Sequence, residues 1–403
     1  MARVVPNVTG LDKQFDYLVP EPLRASVAVG SLVRVPLHGR RIGGWVVALG
    51  APDPELPVEK LVEIAKFSSV GPSAEIIELA EWAAQRWGAP RLRPFLVAAD
   101  PPTMVRSLPR ARRTVAALAP VAAGVRRTTP LTDPLPMLAE IARCGPTIVV
   151  HPTPAATRAI ANRLRKTGLA VALLPDEWAA AAAGVDVVVG GRSAVWAPCP
   201  GLHSIVVLDE HDEALQEERT PTWHARDVAV RRAERGGAAC VLVSPCPTAT
   251  ALHWAGARVS DPSTSDRVAG WPFLQIVDRS DEEPWKRSLL TSELIAHLRD
   301  PAKRVVCVIN TTGRARLLAC RSCRSLQRCE HCDAAVAQRD DGVLACGRCG
   351  TTRPVVCQQC GSSAMAVVKP GVTRLREELE AAANRPVVAV TGETDELPPA
   401  DVY

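Results

Sequence analysis

Over the first 67 residues, short runs of apolar and β-branched residues are separated by Pro, Gly and Asp. Runs of this length between turn-forming residues predict strands. Apolar residues then recur at helical spacing behind Ser73, a candidate N-cap, which predicts a helix over Ser73–Trp87. We therefore predict a β-rich domain over residues 1–100. Its strands are expected at Arg3–Val5, Phe15–Val19, Leu32–Leu37, Ile42–Leu49 and Leu61–Phe67.

From Cys144 onward, apolar runs alternate with helical stretches. This alternation is typical of β-α-β units around a parallel sheet, so the predicted fold class is α/β. One series occupies residues 141–270, and a second occupies 271–403 with a cysteine-rich insertion over 320–360. The first has expected strands at Thr147–Val150, Ala170–Leu174, Val185–Val189, Ser204–Leu208 and Ala238–Val243, and helices at Ala155–Lys166 and His224–Arg235. The second has expected strands at Phe273–Val277, Arg304–Ile309 and Pro386–Val390, and helices at Ser288–Arg299 and Val372–Ala383.

The segment that joins the β-rich domain to the first α/β series is strongly basic. Six arginines and no acidic residue lie between Pro101 and Pro130. Such a composition, with several prolines, indicates a linker or a basic arm, which we place at residues 101–140. Its guanidinium groups are expected to bind phosphate regardless of base sequence. The arginines are Arg106, Arg110, Arg112, Arg113, Arg126 and Arg127.

The overall composition is that of a globular protein with more than one domain. The chain has 403 residues, of which 47% are hydrophobic and 23% charged, and this excludes a disordered chain. The net charge of +5 is too small to identify an acidic partner by itself. There is no apolar run of about 18 residues and no basic start with an apolar core behind it. We therefore expect a cytoplasmic protein without a membrane partner.

Eight of the thirteen cysteines form four C-x-x-C pairs within the insertion. Two thiolates spaced in this way can bind one side of a tetrahedral ion, so eight thiolates predict two zinc sites of four cysteines each. Four sulfur ligands leave no open position for catalysis, and the predicted sites are therefore structural. A redox role is the alternative, and it would need only one pair. The pairs are Cys320 and Cys323, Cys329 and Cys332, Cys346 and Cys349, and Cys357 and Cys360.

An acidic cluster, Asp209 to Asp212, follows the predicted strand Ser204–Leu208. Nucleotide-binding enzymes hold Mg²⁺ and orient water with carboxylates at such a strand end. That chemistry also needs a phosphate-binding loop, G-x-x-x-x-G-K-[ST]. None of the seven lysines follows a glycine. We therefore expect Asp209 and Glu210 to be a relic of an ATP and Mg²⁺ site or an ordinary polar strand end, and we do not expect ordinary ATP hydrolysis.

Several segments together resemble one family, the primosomal replication-restart helicases called PriA. The resemblance runs along nearly the whole chain, and the acidic cluster corresponds to a family motif with one acidic residue missing. It implies degenerate RecA-like helicase lobes behind a domain that binds the 3′ end of a nascent DNA strand. The chain resembles the degenerate actinobacterial branch and is expected to be a short member or a fragment. The segments are Leu11–Pro20, Val29–Pro36, Gly190–Trp196, Val207–Asp212 and Trp223–Ala229.

The resemblance also assigns roles to individual residues. The family's pocket for the 3′ end corresponds to Phe15, Asp16 and, with a shift of one position, Gly39. From the residues alone, Phe15 would be a core residue of a β domain and Asp16 a turn former. The resemblance further implies nested metal ligation. One ion would bind Cys320, Cys323, Cys357 and Cys360, and the other would bind Cys329, Cys332, Cys346 and Cys349.

These features lead to one predicted function and two alternatives. The prediction is a DNA-binding replication-restart protein that recognises stalled forks or 3′ ends without helicase activity, and the sequence leaves open whether it is an enzyme at all. Its expected partners are forked or 3′-ended DNA and the proteins of the primosome or replisome. One alternative is an active ATP-dependent 3′–5′ DNA helicase with an unconventional nucleotide site. The other is a zinc-containing scaffold that recruits protein partners without DNA.

Overall fold

The computed structural model describes the chain except for Asp12, residues 51–60, Pro90, residues 115–118, 279–289, 309–314 and 340–341, Gly371 and residues 391–397. The fold is mixed α/β and divides into two compact units, Met1–Leu274 and Gln275–Tyr403. Of the helices in the described ranges, none is long and apolar enough to cross a membrane.

An antiparallel sheet forms the β-rich domain, in the strand order β2-β1-β4-β3-β5. The Leu18 amide donates to the Val62 carbonyl and the Ile64 amide donates to the Leu18 carbonyl, so the chain just after β2 also contacts the chain just before β5. The two-residue turn between β3 and β4 needs positive φ at both positions, which His38 (47°) and Gly39 (74°) adopt. The strands are β1 (Ala2–Pro6), β2 (Phe15–Tyr17), β3 (Leu32–Leu37), β4 (Arg40–Leu49) and β5 (Lys66–Ser69). Helices α1 (Ala74–Arg86) and α2 (Arg93–Ala99) follow.

The rest of the first unit is built around a parallel sheet in the order β12-β6-β11-β10-β7-β9-β8. Strands such as Thr147–Val150 and Ser204–Val207 are buried at every position, as expected when helices cover both faces of a sheet. The strands are β6 (Gly124–Arg127), β7 (Thr147–Val150), β8 (Val171–Leu173), β9 (Val187–Gly190), β10 (Ser204–Val207), β11 (Ala239–Ser244) and β12 (Val259–Ser260). The helices are α3 (Leu135–Cys144), α4 (Pro154–Arg165), α5 (Trp178–Ala183), α6 (Ala225–Gly236), α7 (Ala249–Ala255) and α8 (Thr264–Gly270).

Part of the segment predicted as a linker, residues 101–140, takes part in this sheet. Strand β6 pairs in parallel with both β11 and β12, and Val125 is 2% exposed. Helix α3 begins at Leu135, within the same range. The charge of Arg126 and Arg127 obscured the strand, because the last residues of a strand can be exposed arginines while the residue before them is buried between two neighbouring strands.

The second unit contains an antiparallel sheet in the order β16-β15-β14-β13-β17, which carries the cysteine pairs in its turns. Helices α9 and α10 pack on each other through Leu298, Leu375 and Leu379. The strands are β13 (Ala315–Cys320), β14 (Val336–Gln338), β15 (Leu344–Cys346), β16 (Thr352–Arg353) and β17 (Met365–Pro370). The helices are α9 (Ser292–Arg299) and α10 (Val372–Ala383). The start of the helix predicted at Ser288–Arg299 lies outside the described residues.

Three strands predicted near this unit do not form as such. Phe273–Val277 has no strand partner in the described chain, and the side chain of Phe273 is 92% exposed. In Arg304–Ile309 only Val305 makes a bridge, to Val402, and Ile309 lies outside the described residues. Pro386–Val390 makes one backbone hydrogen bond to another described residue, from the Val388 amide to the Val402 carbonyl. An apolar run becomes a strand only where a neighbouring strand provides hydrogen-bond partners.

Candidate functional site

Asp16 lies in β2 directly opposite Arg3 of β1. The Arg3 guanidinium donates two hydrogen bonds to the Asp16 carboxylate, from Nε at 3.0 Å and from Nη2 at 3.2 Å. The Asp16 side chain is 13% exposed and that of Arg3 is 46% exposed. The carboxylate is thus held at the surface in a two-pronged ion pair, with the guanidinium as its more accessible member.

Phe15 and Asp16 point to opposite faces of the sheet because they are consecutive residues of one strand. Phe15 is half-buried and packs against the interior of the β-rich domain, on the same side as Tyr17. The Tyr17 hydroxyl donates a hydrogen bond to the Pro36 carbonyl oxygen at 3.1 Å. Gly39 lies in the turn between β3 and β4, and no described atom lies within 4 Å of the position that a Cβ atom would take there. Strand β1 and strand β4 separate β3 from β2 in the sheet.

The basic segment before β6 is attached to the α/β region by its backbone and not by most of its side chains. The Arg112 amide donates to the Gly184 carbonyl at 2.8 Å, and the Thr114 amide donates to the Asp186 carboxylate at 2.8 Å. Arg113 contacts the Pro200 carbonyl oxygen. The side chains of Arg106, Arg110, Arg112 and Arg113 are exposed. A fixed backbone with exposed guanidinium groups is suited to contacts with phosphates.

A cleft of about 870 Å³ opens at the carboxyl ends of β6, β7, β10 and β11. Asp209 lies in it just after β10, with a positive φ of 47° that aspartate tolerates better than most residues. Its carboxylate lies 3.3 Å from His151 Nε2, while His151 Nδ1 accepts a hydrogen bond from the Thr153 amide. The His151 bond holds the pKa of Asp209 below its ordinary value. Asp209 is therefore a carboxylate held by an imidazole at the cleft.

Glu210 does not face the cleft. Its side chain has no exposed surface, and it accepts a hydrogen bond from Arg226 Nη1 of α6 at 2.8 Å. The Thr248 amide at the start of α7 donates to the other carboxylate oxygen at 3.1 Å, and the Thr248 hydroxyl also contacts Glu210. Both oxygens of Glu210 are thus engaged in holding two helices to the sheet. Sequence reasoning did not assign a role to Arg226, although it lies in the quoted Trp223–Ala229 segment.

The loop after β6 has few amides left with which to bind a phosphate. Pro130, Pro134 and Pro136 have no N–H group. The amides of Thr128, Thr129, Leu131, Thr132 and Leu135 already donate within the protein, at 3.0–3.3 Å. The Leu131 amide donates to the Gly270 carbonyl. A Cβ atom at Gly270, the last residue of α8, would lie only 1.9 Å from the Thr129 hydroxyl oxygen, so α8 is packed tightly on this loop. The residues present do not fit a triphosphate, whose binding depends on a nest of unpaired amides and a lysine.

The insertion brings its eight thiols together as two groups of four. Within each group the sulfur atoms lie within 4.8 Å of one another, and neighbouring pairs are 3.4–3.6 Å apart. Four sulfurs bound tetrahedrally at about 2.3 Å from an ion would be about 3.8 Å apart, so each group can hold one metal ion. The groups have the nested arrangement that the family resemblance implies. They are Cys320, Cys323, Cys357 and Cys360, and Cys329, Cys332, Cys346 and Cys349.

In each group hydrogen bonds favour the thiolate of one cysteine, whereas neighbouring cysteines raise the pKa of another, Cys332 in one group and Cys360 in the other. The Thr351 hydroxyl lowers the pKa of Cys349 to about 6, and the Ser325 hydroxyl lowers the pKa of Cys357 to about 5. The thiolate is the form that binds metal. Both groups therefore have the chemistry as well as the spacing of a metal site.

Comparison with known proteins adds to this picture. Residues 3–98 match the family described as the 3′DNA-binding domain (3′BD) of PriA. The replication restart protein PriA of Bacillus subtilis is 32% identical over 205 residues, which make up 48% of this chain and 26% of that protein. The probable replication restart protein PriA of Mycobacterium tuberculosis is 27% identical over an alignment of 430 residues, which covers 93% of this chain and 65% of that protein. For the Mycobacterium leprae protein of the same name, the identity is 27% and the shares are 96% and 69%.

The N-terminal sheet with its two helices is therefore the part of the chain that is similar to the 3′DNA-binding domain family. The chain as a whole is a relative of replication restart protein PriA, and mycobacterial relatives match it over most of its length. It spans about a quarter of the length of the Bacillus subtilis protein and about two thirds of the Mycobacterium tuberculosis protein.

Proposed function

We propose that the protein binds DNA in replication restart and recognises the 3′ ends of strands at stalled forks. The observation that carries this proposal is the match of residues 3–98 to the 3′DNA-binding domain family. The relatives named replication restart protein PriA support the same role for the rest of the chain. We place this work in the cytoplasm, with the proteins of the primosome or replisome as further partners.

In this proposal the β-rich domain and the basic segment that follows it have separate tasks. The β-rich domain selects the DNA end, where Asp16 accepts a hydrogen bond from the 3′ hydroxyl and Gly39 admits the backbone closely. Phe15 is the first residue of β2, and the terminal base contacts its partly exposed ring at that end of the strand, on the face opposite to Asp16. The exposed arginines at 106, 110, 112 and 113 bind phosphates and add affinity for any DNA. Recognition of the end and attraction to the backbone therefore depend on different residues.

We further propose that the parallel sheet is a degenerate RecA-like helicase lobe that does not hydrolyse ATP. Two observations support this. The loop after β6 lacks a lysine and most of its amides are engaged, so it cannot surround a triphosphate. Glu210 is occupied by Arg226 and Thr248, so its carboxylate is not available to activate a water molecule. The protein would then act by binding forks and not by unwinding them.

The two thiol groups are proposed to bind zinc as structural ions. Complete sulfur ligation suits Zn²⁺ and leaves no position for a substrate. The ions would hold the turns of the antiparallel sheet in the second unit, where the segments between the cysteines are short. Zinc would therefore support folding of the insertion, and a surface for partner proteins would depend on it.

Binding to forked DNA with free and with blocked 3′ ends tests this proposal. We expect tighter binding to the fork with a free 3′ hydroxyl than to the same fork ending in a 3′ phosphate. Replacing Arg110, Arg112 and Arg113 together by alanine should weaken binding to both forks alike and flatten its salt dependence, because fewer counterions are released. Equal affinity of the parent chain for the two forks would overturn the proposal.

A further inference from the structure

Arg3 lies beside the residue that the proposed function assigns to the 3′ hydroxyl. It is in β1, twelve residues before Phe15, and only the pairing of β1 with β2 brings it to Asp16. Its guanidinium makes two hydrogen bonds to the carboxylate and yet keeps 46% of its side-chain surface exposed. The exposed part of the pair is thus cationic, while the carboxylate lies beneath it.

We infer that Arg3 determines which chemical group the domain accepts at the end of a DNA strand, an inference that rests on the proposed function. A carboxylate alone attracts a 3′ hydroxyl as a hydrogen-bond donor and repels a 3′ phosphate by charge. Arg3 balances that charge, so Asp16 can accept a hydrogen bond in the middle of a phosphate-rich ligand.

This pairing has a consequence that a purely structural ion pair would not have. Removing the guanidinium leaves a carboxylate with a full negative charge at the end site. Two unit charges about 4 Å apart in water interact by about 1 kcal/mol, which corresponds to about a fivefold change in affinity. Arg3→Ala should therefore raise the preference for a 3′ hydroxyl over a 3′ phosphate by about fivefold or more.

The role of Arg3 is tested by the ratio of two dissociation constants, that for a fork with a 3′ phosphate divided by that for the same fork with a 3′ hydroxyl. The full-length parent chain is compared with Arg3→Ala, Arg3→Lys, the double variant Arg3→Ala with Asp16→Ala, and the control Arg41→Ala. Arg41 is an exposed arginine of β4 in the same sheet. We expect a raised ratio for Arg3→Ala, a ratio near that of the parent for Arg3→Lys and Arg41→Ala, and a ratio of about one for the double variant.

The outcomes separate this inference from the proposed function. If the parent prefers the 3′ hydroxyl and Arg3→Ala has the same ratio as the parent, Arg3 has no part in end selection and the inference is wrong. If Arg41→Ala changes the ratio as much as Arg3→Ala does, the effect is one of general charge and the inference is also wrong. If the parent binds both forks equally, the proposed function fails and the inference fails with it. Thermal unfolding of each variant shows whether a lost preference comes from a lost fold.

Discussion

The side chain of Glu210 is completely buried and accepts a hydrogen bond from Arg226 Nη1 at 2.8 Å. This ion pair connects the chain after β10 to helix α6. The Thr248 amide, at the start of α7, donates a hydrogen bond to the second oxygen of Glu210. A buried carboxylate with both oxygens engaged is a structural group. Its neighbour Asp209 faces the cleft instead, bonded to His151. Two consecutive acidic residues after β10 thus have different surroundings.

We predict that the chain shows no DNA-stimulated ATP hydrolysis. The loop after β6 offers neither a lysine nor enough unpaired amides to stabilise the γ-phosphate. Phosphate release is measured with and without forked DNA, and Glu210→Gln and Asp209→Asn are measured beside the parent. We expect all three to give the same background rate. Turnover that increases with forked DNA and disappears in the Glu210→Gln variant would show that the site is active.

Arg226→Ala is predicted to destabilise the first unit by about 3–5 kcal/mol, because it leaves the carboxylate of Glu210 buried without its partner. The matched control is Arg231→Ala on the same helix. The Arg231 side chain is half-exposed, and its Nη1 lies 3.6 Å from Oε2 of Glu234. Removing this ion pair should lower the free energy of unfolding by about 1 kcal/mol or less. Denaturant unfolding measures both changes. Similar losses for the two variants would mean that the buried pair contributes little.

Two zinc ions per chain are predicted in freshly purified, reduced protein. Replacing Cys329 and Cys332 by serine removes half of one ligand set and should lower the content to one ion, while the ion bound by the group that contains Cys320 and Cys323 remains. Metal analysis by mass spectrometry gives the count. Replacing Cys144 and Cys246, which lie outside both groups, is the control and should leave two ions. A metal-free chain that folds equally well in strong chelator would contradict the prediction.

Asp100 is predicted to make stability depend on pH. Burial raises its pKa to about 7, against a smaller lowering by the hydrogen bond that Trp45 Nε1 donates to it at 2.6 Å. An aspartate in an unfolded chain has a pKa of about 3.9, so between about pH 4 and pH 7 the folded protein holds a proton that the unfolded chain releases. The free energy of unfolding therefore falls as the pH rises through this interval.

The variant Asp100→Asn keeps an oxygen for Trp45 and cannot ionise. At pH 8 it should be more stable than the parent by up to about 4 kcal/mol, and near pH 4 the difference should disappear. Urea unfolding across this pH range measures the effect, with the exposed Asp176→Asn as control. A constant difference between Asp100→Asn and the parent at all pH values would exclude a titrating Asp100.

The sequence predicted most of the regular structure where burial alone decides it. Thr147–Val150 is confirmed as a strand because every position is apolar or small and buried on both faces. Phe273–Val277 is equally apolar but is not a strand, because a strand needs a partner that no local pattern specifies. The same holds for the sites. The cysteine pairs are recognisable from spacing, whereas the contact of Arg3 with Asp16 depends on strand register, and that of Glu210 with Arg226 depends on how a helix packs.

The most direct measurement of the central claim is end-dependent fork binding by the parent chain, Phe15→Ala and Asp16→Ala. A stacked base is worth about 1–3 kcal/mol, so Phe15→Ala should weaken binding to the fork with a free 3′ hydroxyl by about tenfold or more. Asp16→Ala should remove the preference for a 3′ hydroxyl over a 3′ phosphate. If both variants bind free and blocked forks as the parent does, Phe15 is a core residue, Asp16 is the structural partner of Arg3, and the domain does not select DNA ends through them.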